Sequence, residues 1–300
     1  MSVTREAPQP REEFFTFRGV TYRSVFWGEP SCCVVGDGKG IGRAPLVLLH
    51  GFAQSASSWG EVAPLLSRTR PVVALELVGH GGTDRPRDDR FYRLDEAAIA
   101  TCAFLEHVAR RAGVSAVPVV GYSMGGRIAL AAAQHRGQLF AALILESAGL
   151  GPANNEERAQ TAVRDADCAA RLRTDGLTMF MDCWENLPLF ATQHTLPVAV
   201  QERIRRGRLS NDAEALARVF EGAGQHTMPL REEALVRLSR FAFPTLYLVG
   251  SSDQKYRKLA QDLEKQGVCA VCIVANAGHN VHLEAPEKYG DVINNFLAPF

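Results

Sequence analysis

The fold of this 300-residue chain is decided by residues 117–135, VPVVGYSMGGRIALAAAQH. A β-branched run, Val117–Val120, precedes the pattern G-x-S-x-G and a stretch rich in alanine, which together predict a strand, a tight turn and a helix. The glycines on either side let the chain turn sharply and expose the hydroxyl of Ser123. The amide of Met124 is left free at the helix start, where it can stabilise a negatively charged oxygen. The segment therefore predicts that Ser123 is the reactive residue of an enzyme site.

A serine in such a turn needs a histidine and an acid, and both come after later strand-like runs. Asp253 comes three residues after the run Thr245–Gly250, and His279 follows the last run in the sequence NAGH. The order Ser, Asp, His along the chain is the one used with a strand–turn–helix serine. The carboxylate fixes the imidazole tautomer, and the imidazole takes the serine proton. We predict that Ser123, Asp253 and His279 act together, with His282 as a weaker alternative base.

A second donor for a negatively charged oxygen is predicted in the sequence HGF at residues 50–52. It closes the apolar run Leu46–Leu49, and its glycine lets the loop backbone approach the serine. The backbone amide of Phe52 would then act beside that of Met124. His80, in the sequence GHGG, ends another strand-like run, and we expect it to be structural.

Strand-like runs alternate with helical patterns along most of the chain. This alternation predicts an α/β fold, with a mostly parallel sheet covered by helices on both faces. The runs Phe14–Phe17 and Val20–Trp27 come first and predict a hairpin. Residues 151–240 show only amphipathic helical stretches, so we predict a helical cap inserted there, after the sixth core strand and over the active site. Residues 1–150 and 241–300 would form the core.

Composition and charge exclude several classes of protein. Hydrophobic residues make up 46% of the chain and charged residues 22%, which is typical of a globular protein and not of a disordered one. The 33 Lys and Arg residues balance 33 Asp and Glu residues, so no general field attracts nucleic acid or an anionic membrane. The charged, proline-containing start predicts no export signal, and the apolar runs are too short to span a bilayer. Seven scattered cysteines predict reduced thiols and a cytoplasmic protein.

Two further patterns resemble ligand sites but are given other interpretations. The glycine-dense segment Gly36–Gly42 lacks the order of a phosphate-binding loop, and no helix pattern comes after it. Cys269 and Cys272 form C-x-x-C within a strand-like run, whose alternation would send them to opposite faces. We therefore predict a flexible loop, no metal site and no cofactor.

Four motifs together resemble the α/β-hydrolase superfamily. They are HGF at 50–52, GHG at 79–81, GYSMGG at 121–126 and GH at 278–279. The resemblance covers essentially the whole chain after the first dozen residues and implies an α/β-hydrolase fold with its catalytic triad. It does not identify the substrate, because many activities share these motifs. Glu76 and Val78 depart from the pattern, which usually has aspartate and proline there, in a loop that is structural in most members.

More restrictive patches resemble one family within that superfamily, the MenH family of 2-succinyl-6-hydroxy-2,4-cyclohexadiene-1-carboxylate synthases. Arg127 stands one helical turn after Ser123. The other patches are CWENLPLF at 183–190, RLSN at 208–211, GAGQH at 222–226 and YLVGSSDQKY at 247–256.

Members of this family are lyases that eliminate pyruvate from 2-succinyl-5-enolpyruvyl-6-hydroxy-3-cyclohexene-1-carboxylate in menaquinone biosynthesis. The resemblance implies a polycarboxylate substrate and a site without a cofactor. The implied substrate-binding residues are two arginines, two aromatic residues and one lysine: Arg127, Arg208, Tyr122, Trp184 and Lys255. A third arginine is expected near the start of the cap, where Arg158 and Arg164 are both candidates and Arg158 is weakly favoured.

Two other functions remain open at this stage. A serine esterase or a carbon–carbon-bond hydrolase of the same fold would use the same triad with water as second nucleophile, and it would need no arginine cluster. A ligand-binding receptor could also be built on this fold and keep the triad. In the lyase interpretation, His279 deprotonates Ser123, and the serine oxygen removes a ring proton next to a ketone.

Overall fold

The computed structural model describes residues 9–28 and 43–299, so the predicted loop Gly36–Gly42 and the thiols of Cys32 and Cys33 lie outside the described residues. Eight strands form a single sheet in the order β1-β2-β4-β3-β5-β6-β7-β8. They are β1 (Arg11–Phe17), β2 (Val20–Trp27), β3 (Leu46–Leu49), β4 (Val72–Leu75), β5 (Val117–Tyr122), β6 (Phe140–Glu146), β7 (Thr245–Gly250) and β8 (Ala270–Val274).

The helices follow the strands in alternation, as the sequence predicts. The α-helices are α1 (Ala63–Leu66), α2 (Leu94–Ala112), α3 (Met124–Arg136), α4 (Asn155–Thr174), α5 (Gly176–Glu185), α6 (Val198–Leu209), α7 (Ala213–Ala223), α8 (Arg231–Leu238), α9 (Gln254–Gln266), α10 (Val281–Glu284) and α11 (Pro286–Phe296). Short 3-10 helices cover Ala56–Trp59, Asp89–Tyr92, Gly137–Leu139, Pro188–Thr195 and Gln225–Thr227.

The sheet is mostly parallel, and its two faces are buried separately. Only β1 with β2 and β2 with β4 pair antiparallel. The predicted hairpin turns at Arg18 and Gly19, which both have positive φ, as a tight two-residue turn requires. In β3, Val47 and Leu49 face one apolar core while the alternate leucines face the other. Helices therefore cover both faces, which confirms the predicted α/β-hydrolase fold.

Five helices, α4 to α8, lie between β6 and β7, and we call residues 155–238 the helical insert. It has an apolar cluster of its own, in which Leu172, Met181 and Leu216 are completely buried. Phe220 of the insert packs on Phe52, with ring centroids 4.3 Å apart. The insert is thereby joined to the loop that follows β3. The outer limits of the predicted cap, at residues 151 and 240, stay a prediction.

The parallel strands bring the predicted reactive residues to one edge of the sheet. In β5, β6 and β7, the residues Tyr122, Glu146 and Leu248 lie side by side. β7 continues two residues further, to Gly250, so Ser123 and Asp253 follow strand ends at the same edge of the sheet. Of the helices in the two described ranges, none combines the length and apolar character that crossing a bilayer requires. The five cysteines of those ranges are all free thiols.

Candidate active site

Ser123 lies between β5 and α3 in a backbone conformation that residues other than glycine rarely adopt. Its φ is 49° and its ψ is −104°. The turn is closed by glycines with no room for a side chain: a Cβ on Gly121 would lie 2.6 Å from the carbonyl oxygen of Gly125, and one on Gly125 would lie 2.3 Å from that of Leu49. Such strain persists where the surrounding structure imposes it. The turn has the geometry that the sequence predicts.

We expect Gly125→Ala to destabilise the protein by more than about 2 kcal/mol, because the new methyl group would overlap backbone atoms that cannot move independently. Urea unfolding measures the effect. The matched control is Gly137→Ala at the other end of α3, where the nearest atom, in the Phe243 ring, is 3.4 Å away and φ is −56°. Equal stability of the two variants would contradict this interpretation of the turn.

Ser123, His279 and Asp253 form a chain of hydrogen bonds. The distance from Asp253 Oδ2 to His279 Nδ1 is 2.6 Å, and that from His279 Nε2 to Ser123 Oγ is 3.2 Å. Because the Asp253 carboxylate accepts a hydrogen bond from Nδ1–H, the proton stays on Nδ1 and the lone pair of Nε2 faces the serine hydroxyl. Asp253 and His279 are 4% and 1% exposed. The structure thus brings together the three residues that the sequence predicts, in the geometry of a nucleophile and its base.

The alternative base, His282, has a different partner. Its Nδ1 lies 2.8 Å from Glu146 Oε2, and both side chains are completely buried. The ring stacks on Trp59 at a centroid distance of 3.9 Å and meets Tyr122 edge-on. His282 therefore lies beneath the site and is held by Glu146, whereas His279 reaches Ser123.

The two predicted oxyanion donors, Phe52 and Met124, both line the cavity next to Ser123. Met124 is the first residue of α3, so its amide has no acceptor within the helix. The Phe52 amide makes no hydrogen bond to any other part of residues 9–28 and 43–299. Gly51 brings this loop against β5, since a Cβ there would lie 2.5 Å from the Tyr122 ring.

Two buried histidines hold the loop that carries Phe52. His50 Nε2 accepts a hydrogen bond from the Leu77 amide, and His80 Nε2 accepts one from the Ala53 amide. Both rings donate from Nδ1 to a backbone carbonyl, so both are neutral. Burial lowers the pKa of His50 to about 4 and that of His80 to about 3. His80 thus has the structural role expected of it.

These two histidines make stability depend on pH. Their pKa values are lower in the folded chain than in the unfolded one, so unfolding takes up protons as the pH falls below about 6.5. We expect the free energy of unfolding to fall by about 2 kcal/mol between pH 7 and pH 5.5. Urea titrations at the two pH values measure the difference. His80→Gln should roughly halve it, and equal stability at both pH values would contradict the account.

Glu76, which departs from the superfamily pattern, also supports this loop. It is completely buried. Its Oε1 accepts from the Arg23 side chain at 2.7 Å and from the Ala56 amide at 3.1 Å, while Oε2 accepts from the Gly82 amide at 2.6 Å. The longer side chain therefore finds a complete set of partners, and the expected structural role of this loop is retained.

A cavity of about 170 Å³ lies above Ser123, between the core and the helical insert. Four cations line it: Arg127, Arg164, Arg208 and Lys255. Aromatic rings from both parts of the chain form much of its wall: Phe52, Tyr122, Trp184, Phe190, Phe220 and Tyr256. Asp165 is the acidic residue among the lining residues. The cavity therefore has a largely aromatic wall and an excess of positive charge, which suits a flat anionic molecule.

Arg127 and Lys255 are cations without a carboxylate partner in the described parts of the chain. Burial lowers the pKa of Arg127, which rises from α3 into the cavity. Lys255 Nζ lies 5.3 Å from the Tyr256 ring centroid. Lys255 is exposed, whereas the partly buried guanidinium of Arg127 costs free energy unless a counter-ion compensates it. These two side chains are thus available for an anionic ligand.

Arg208 lines the cavity but is already partly paired. It is 4% exposed, lies 3.2 Å from Glu185 and donates to Gln193 at 3.0 Å. Its guanidinium also lies over the Phe190 ring, 5.0 Å from the centroid. Arg205 shares the Glu185 carboxylate at 2.7 Å, so this carboxylate is not matched to Arg208 alone.

Of the two candidates for the third arginine, the structure brings Arg164 to the cavity and not Arg158. Arg158, the candidate preferred from the sequence, donates to the Met228 carbonyl at 3.2 Å and lies outside the cavity lining, so the geometry favours Arg164 instead. Arg164 is held by Asp165 at 2.7 Å, and Asp165 also bonds His226 at 2.9 Å. The two arginines lie on different sides of α4.

The two predicted aromatic residues, Trp184 and Tyr122, both line the cavity. Trp184 packs against Phe52 at 5.2 Å and Phe180 at 5.7 Å between ring centroids, and the contact with Phe52 joins the insert to the loop that follows β3. Tyr122 is 3% exposed and packs on His279 at 5.4 Å. Both residues therefore shape the cavity and also belong to its supporting core.

Sequence reasoning did not single out two glutamines that line the cavity. Gln225 is 7% exposed, and its side-chain amide has no hydrogen-bond partner in the described parts of the chain. Gln54 Oε1 accepts from the Gly51 amide at 3.2 Å. The one available signal was the position of Gln225 in the GAGQH patch. Residues 9–28 and 43–299 contain no group of three or more His, Cys, Asp or Glu side chains placed to hold a metal ion.

Comparison with known sequences gives a family and named relatives. The model of the alpha/beta hydrolase family matches residues 46–292. A Bacillus subtilis (strain 168) protein, provisionally named 2-succinyl-6-hydroxy-2,4-cyclohexadiene-1-carboxylate synthase, is 32% identical over 265 residues, 88% of this chain and 93% of its own length. The synthase of that name from Salmonella paratyphi C (strain RKS4594) is 32% identical over 260 residues, 85% of this chain and 94% of its own.

Solved structures give a concordant result. MenH from S. aureus is similar with a TM-score of 0.78 and 28% sequence identity, over 85% of this chain and 93% of its own. A thermophilic esterase from Thermogutta terrifontis has a TM-score of 0.73 at 22% identity, over 97% of this chain and 99% of its own. The likeness to the esterase shows the shared fold alone.

Proposed function

Because this chain belongs to the alpha/beta hydrolase family and, within it, to the family of 2-succinyl-6-hydroxy-2,4-cyclohexadiene-1-carboxylate synthases, we propose that it catalyses the elimination for which those synthases are named. The substrate would be 2-succinyl-5-enolpyruvyl-6-hydroxy-3-cyclohexene-1-carboxylate, the product the 2,4-cyclohexadiene, and the leaving group pyruvate. The pathway would be menaquinone biosynthesis, and we infer a cytoplasmic location, consistent with the free thiols.

The observation that carries this proposal is the set of cations around Ser123. The proposed substrate has three carboxylates, and the cavity has Arg127 and Lys255 unpaired within the described residues, with Arg164 and Arg208 held by protein carboxylates at its wall. Planar guanidinium groups bind carboxylates with two parallel hydrogen bonds. A simple esterase would have no need of such a set.

The chemistry requires a base, and we assign that role to Ser123. His279, oriented by Asp253, takes the hydroxyl proton of Ser123, and the serine oxygen removes the proton from the ring carbon that bears the succinyl group. The electron pair of that C–H bond forms the double bond to C3, the C3–C4 double bond moves to C4–C5, and the C5–O bond breaks. Enolpyruvate leaves and is protonated to pyruvate, so no water is consumed.

The amides of Phe52 and Met124 would stabilise the enolate that forms when this proton is removed. The proton is acidic because the neighbouring succinyl ketone takes up the negative charge on its oxygen. Two backbone donors that need no reorganisation are suited to such a developing charge. All these steps use side chains and backbone amides of this chain, so we expect activity without an added cofactor.

The test is an ultraviolet assay of diene formation with pyruvate measured in the same sample, run beside p-nitrophenyl esters of short acids. We expect diene and pyruvate in equal amounts and negligible ester cleavage. Ester cleavage without elimination would replace the proposal by a hydrolase with the same triad. Tight binding of the substrate without turnover would indicate a ligand-binding receptor instead.

A further inference from the structure

Glu284, at the end of α10, has both carboxylate oxygens bonded to the loop that carries His279. Oε2 accepts from the Gly278 amide at 2.6 Å, and Oε1 accepts from the Asn280 amide at 3.2 Å. These are the two amides on either side of His279 in the chain. One side chain therefore holds the backbone immediately before and immediately after the histidine.

The loop has further bonds that close it on the same helix. The Glu284 amide donates to the Asn280 carbonyl at 3.0 Å, and the Asn280 side chain caps α10 by accepting from the Leu283 amide at 3.3 Å. His279 is thus enclosed in a short ring of hydrogen bonds that begins and ends at Glu284. A rotation of the peptide groups around His279 would break at least one of the carboxylate bonds.

The helical insert packs on this arrangement. A Cβ on Gly278 would lie 2.1 Å from Thr192 Oγ1 and 2.9 Å from Glu284 Oε2, so a threonine of the insert and the carboxylate fill the space beside Gly278. Phe190, on the same 3-10 helix as Thr192, meets the His279 ring edge-on at 5.9 Å. The histidine is therefore confined on its ring side by the insert and on its backbone side by Glu284.

The charge of Glu284 matters for this role. Burial raises the pKa of Glu284, and the amides of Gly278 and Asn280 act against that rise. An ionised carboxylate can accept from both amides, whereas a neutral amide side chain has one accepting oxygen and would point an N–H group at the other donor. Charge-assisted hydrogen bonds are also shorter and stronger than neutral ones.

We propose that Glu284 is a positioning residue for His279, whose carboxylate holds the two flanking amides and thereby keeps Nε2 directed at Ser123. Glu284 does not line the cavity, so it acts through His279 and not on the substrate. The inference rests on the proposed function for its kinetic consequence, but the reactivity of Ser123 tests it independently.

The experiment compares Glu284→Gln with the wild type and with Glu287→Gln. The control removes an exposed carboxylate three residues further on, at the start of α11. Two quantities are measured: kcat and KM for elimination, and the rate at which an alkyl fluorophosphonate modifies Ser123. In that modification the serine oxygen bonds to phosphorus, fluoride leaves and His279 takes the proton, so the rate reports the serine–histidine pair without the natural substrate.

For Glu284→Gln we expect kcat and the labelling rate to fall together by about tenfold, as for loss of a charge-assisted hydrogen bond, with KM within about twofold of wild type. Glu287→Gln should match the wild type in all three. Glu284→Asp, which keeps the charge but shortens the side chain, should show a loss of the same kind and serves if the glutamine variant does not fold.

Each outcome separates this inference from the proposed function. If the wild type labels at Ser123 but does not eliminate pyruvate, the proposed function fails, and the labelling rates alone decide the role of Glu284. Unchanged kcat and labelling in Glu284→Gln would overturn the inference, as would a rise in KM with kcat unchanged. A wild type that neither labels nor turns over would contradict both, because no active His279 would then exist to be positioned.

Discussion

Ser123→Ala is expected to lower kcat/KM for pyruvate elimination by about 10³-fold, in line with the loss of a positioned general base. In the proposed mechanism the hydroxyl, 3.2 Å from His279 Nε2, passes the proton from the substrate to the imidazole, and alanine removes that group. The diene assay measures the loss. Binding of the substrate should persist, because the cations of the cavity are unchanged.

The control for this variant is Ser147→Ala. Ser147 follows β6, the strand next to β5, and has a φ of 47°, close to the 49° of Ser123. It is buried and lies outside the cavity lining. It therefore reproduces the loss of a hydroxyl at a left-handed position without touching the site. Full elimination activity in Ser123→Ala would show that the serine oxygen is not the base.

Arg127→Met is expected to lower kcat/KM by about 100-fold without lowering the free energy of unfolding. The kinetic loss is that of a charge-assisted pair between a partly buried guanidinium and a substrate carboxylate. Stability should be maintained or rise, because burial lowers the pKa of Arg127 and its guanidinium forms no salt bridge within the described residues, although the Asp165 charge acts against that lowering. A loss of activity without a loss of stability would indicate that Arg127 serves ligand binding and not folding.

Steady-state kinetics and urea unfolding of the same preparation test this pair of expectations. The matched control is Arg136→Met in the last turn of the same helix, where the guanidinium is paired with Glu106 at 2.9 Å and lies away from the cavity. Its kinetics should equal those of the wild type. An Arg127→Met enzyme with wild-type kcat/KM would remove Arg127 from the substrate site.

Much of the site could be predicted from the sequence because its signals are local. Ser123 lies in a turn marked by the local pattern G-x-S-x-G, in which Gly121 is required by contact with the backbone of Gly125, and Asp253 and His279 come after strand-like runs that a parallel sheet must bring to one edge. The strands of the structure also coincide with apolar runs of the sequence, because the burial of a strand in the sheet is a local signal too. Local sequence therefore determines where each strand ends and which residues lie just beyond it.

The side of each helix of the helical insert that faces the cavity could not be predicted in the same way. Arg158 and Arg164 are six residues apart on α4, or about 1.7 turns, so they lie on different sides of the helix and one contact with the cavity excludes the other. The polar composition of this segment gives no apolar stripe that would show which side faces the core. The sequence therefore could not show that Arg164, and not Arg158, lines the cavity.

The partners of individual side chains were equally inaccessible to sequence reasoning. The bond between Arg208 and Glu185 joins α6 to α5, and the hold of Glu284 on the His279 loop depends on backbone amides that carry no residue signature. Neither spacing nor residue type distinguishes these contacts from exposed charges. They become visible once α5 and α6 are packed together and the loop before α10 is folded.

The central claim is that Ser123 and His279 remove a proton from the substrate ring instead of attacking a carbonyl group. The most direct test is a single-turnover comparison of normal substrate with substrate deuterated at the ring carbon that bears the succinyl group, because single turnovers exclude slow product release. The account predicts that diene forms severalfold more slowly from the deuterated substrate, with one pyruvate per diene. Equal rates for the two substrates, with a covalent adduct on Ser123 during turnover, would contradict it.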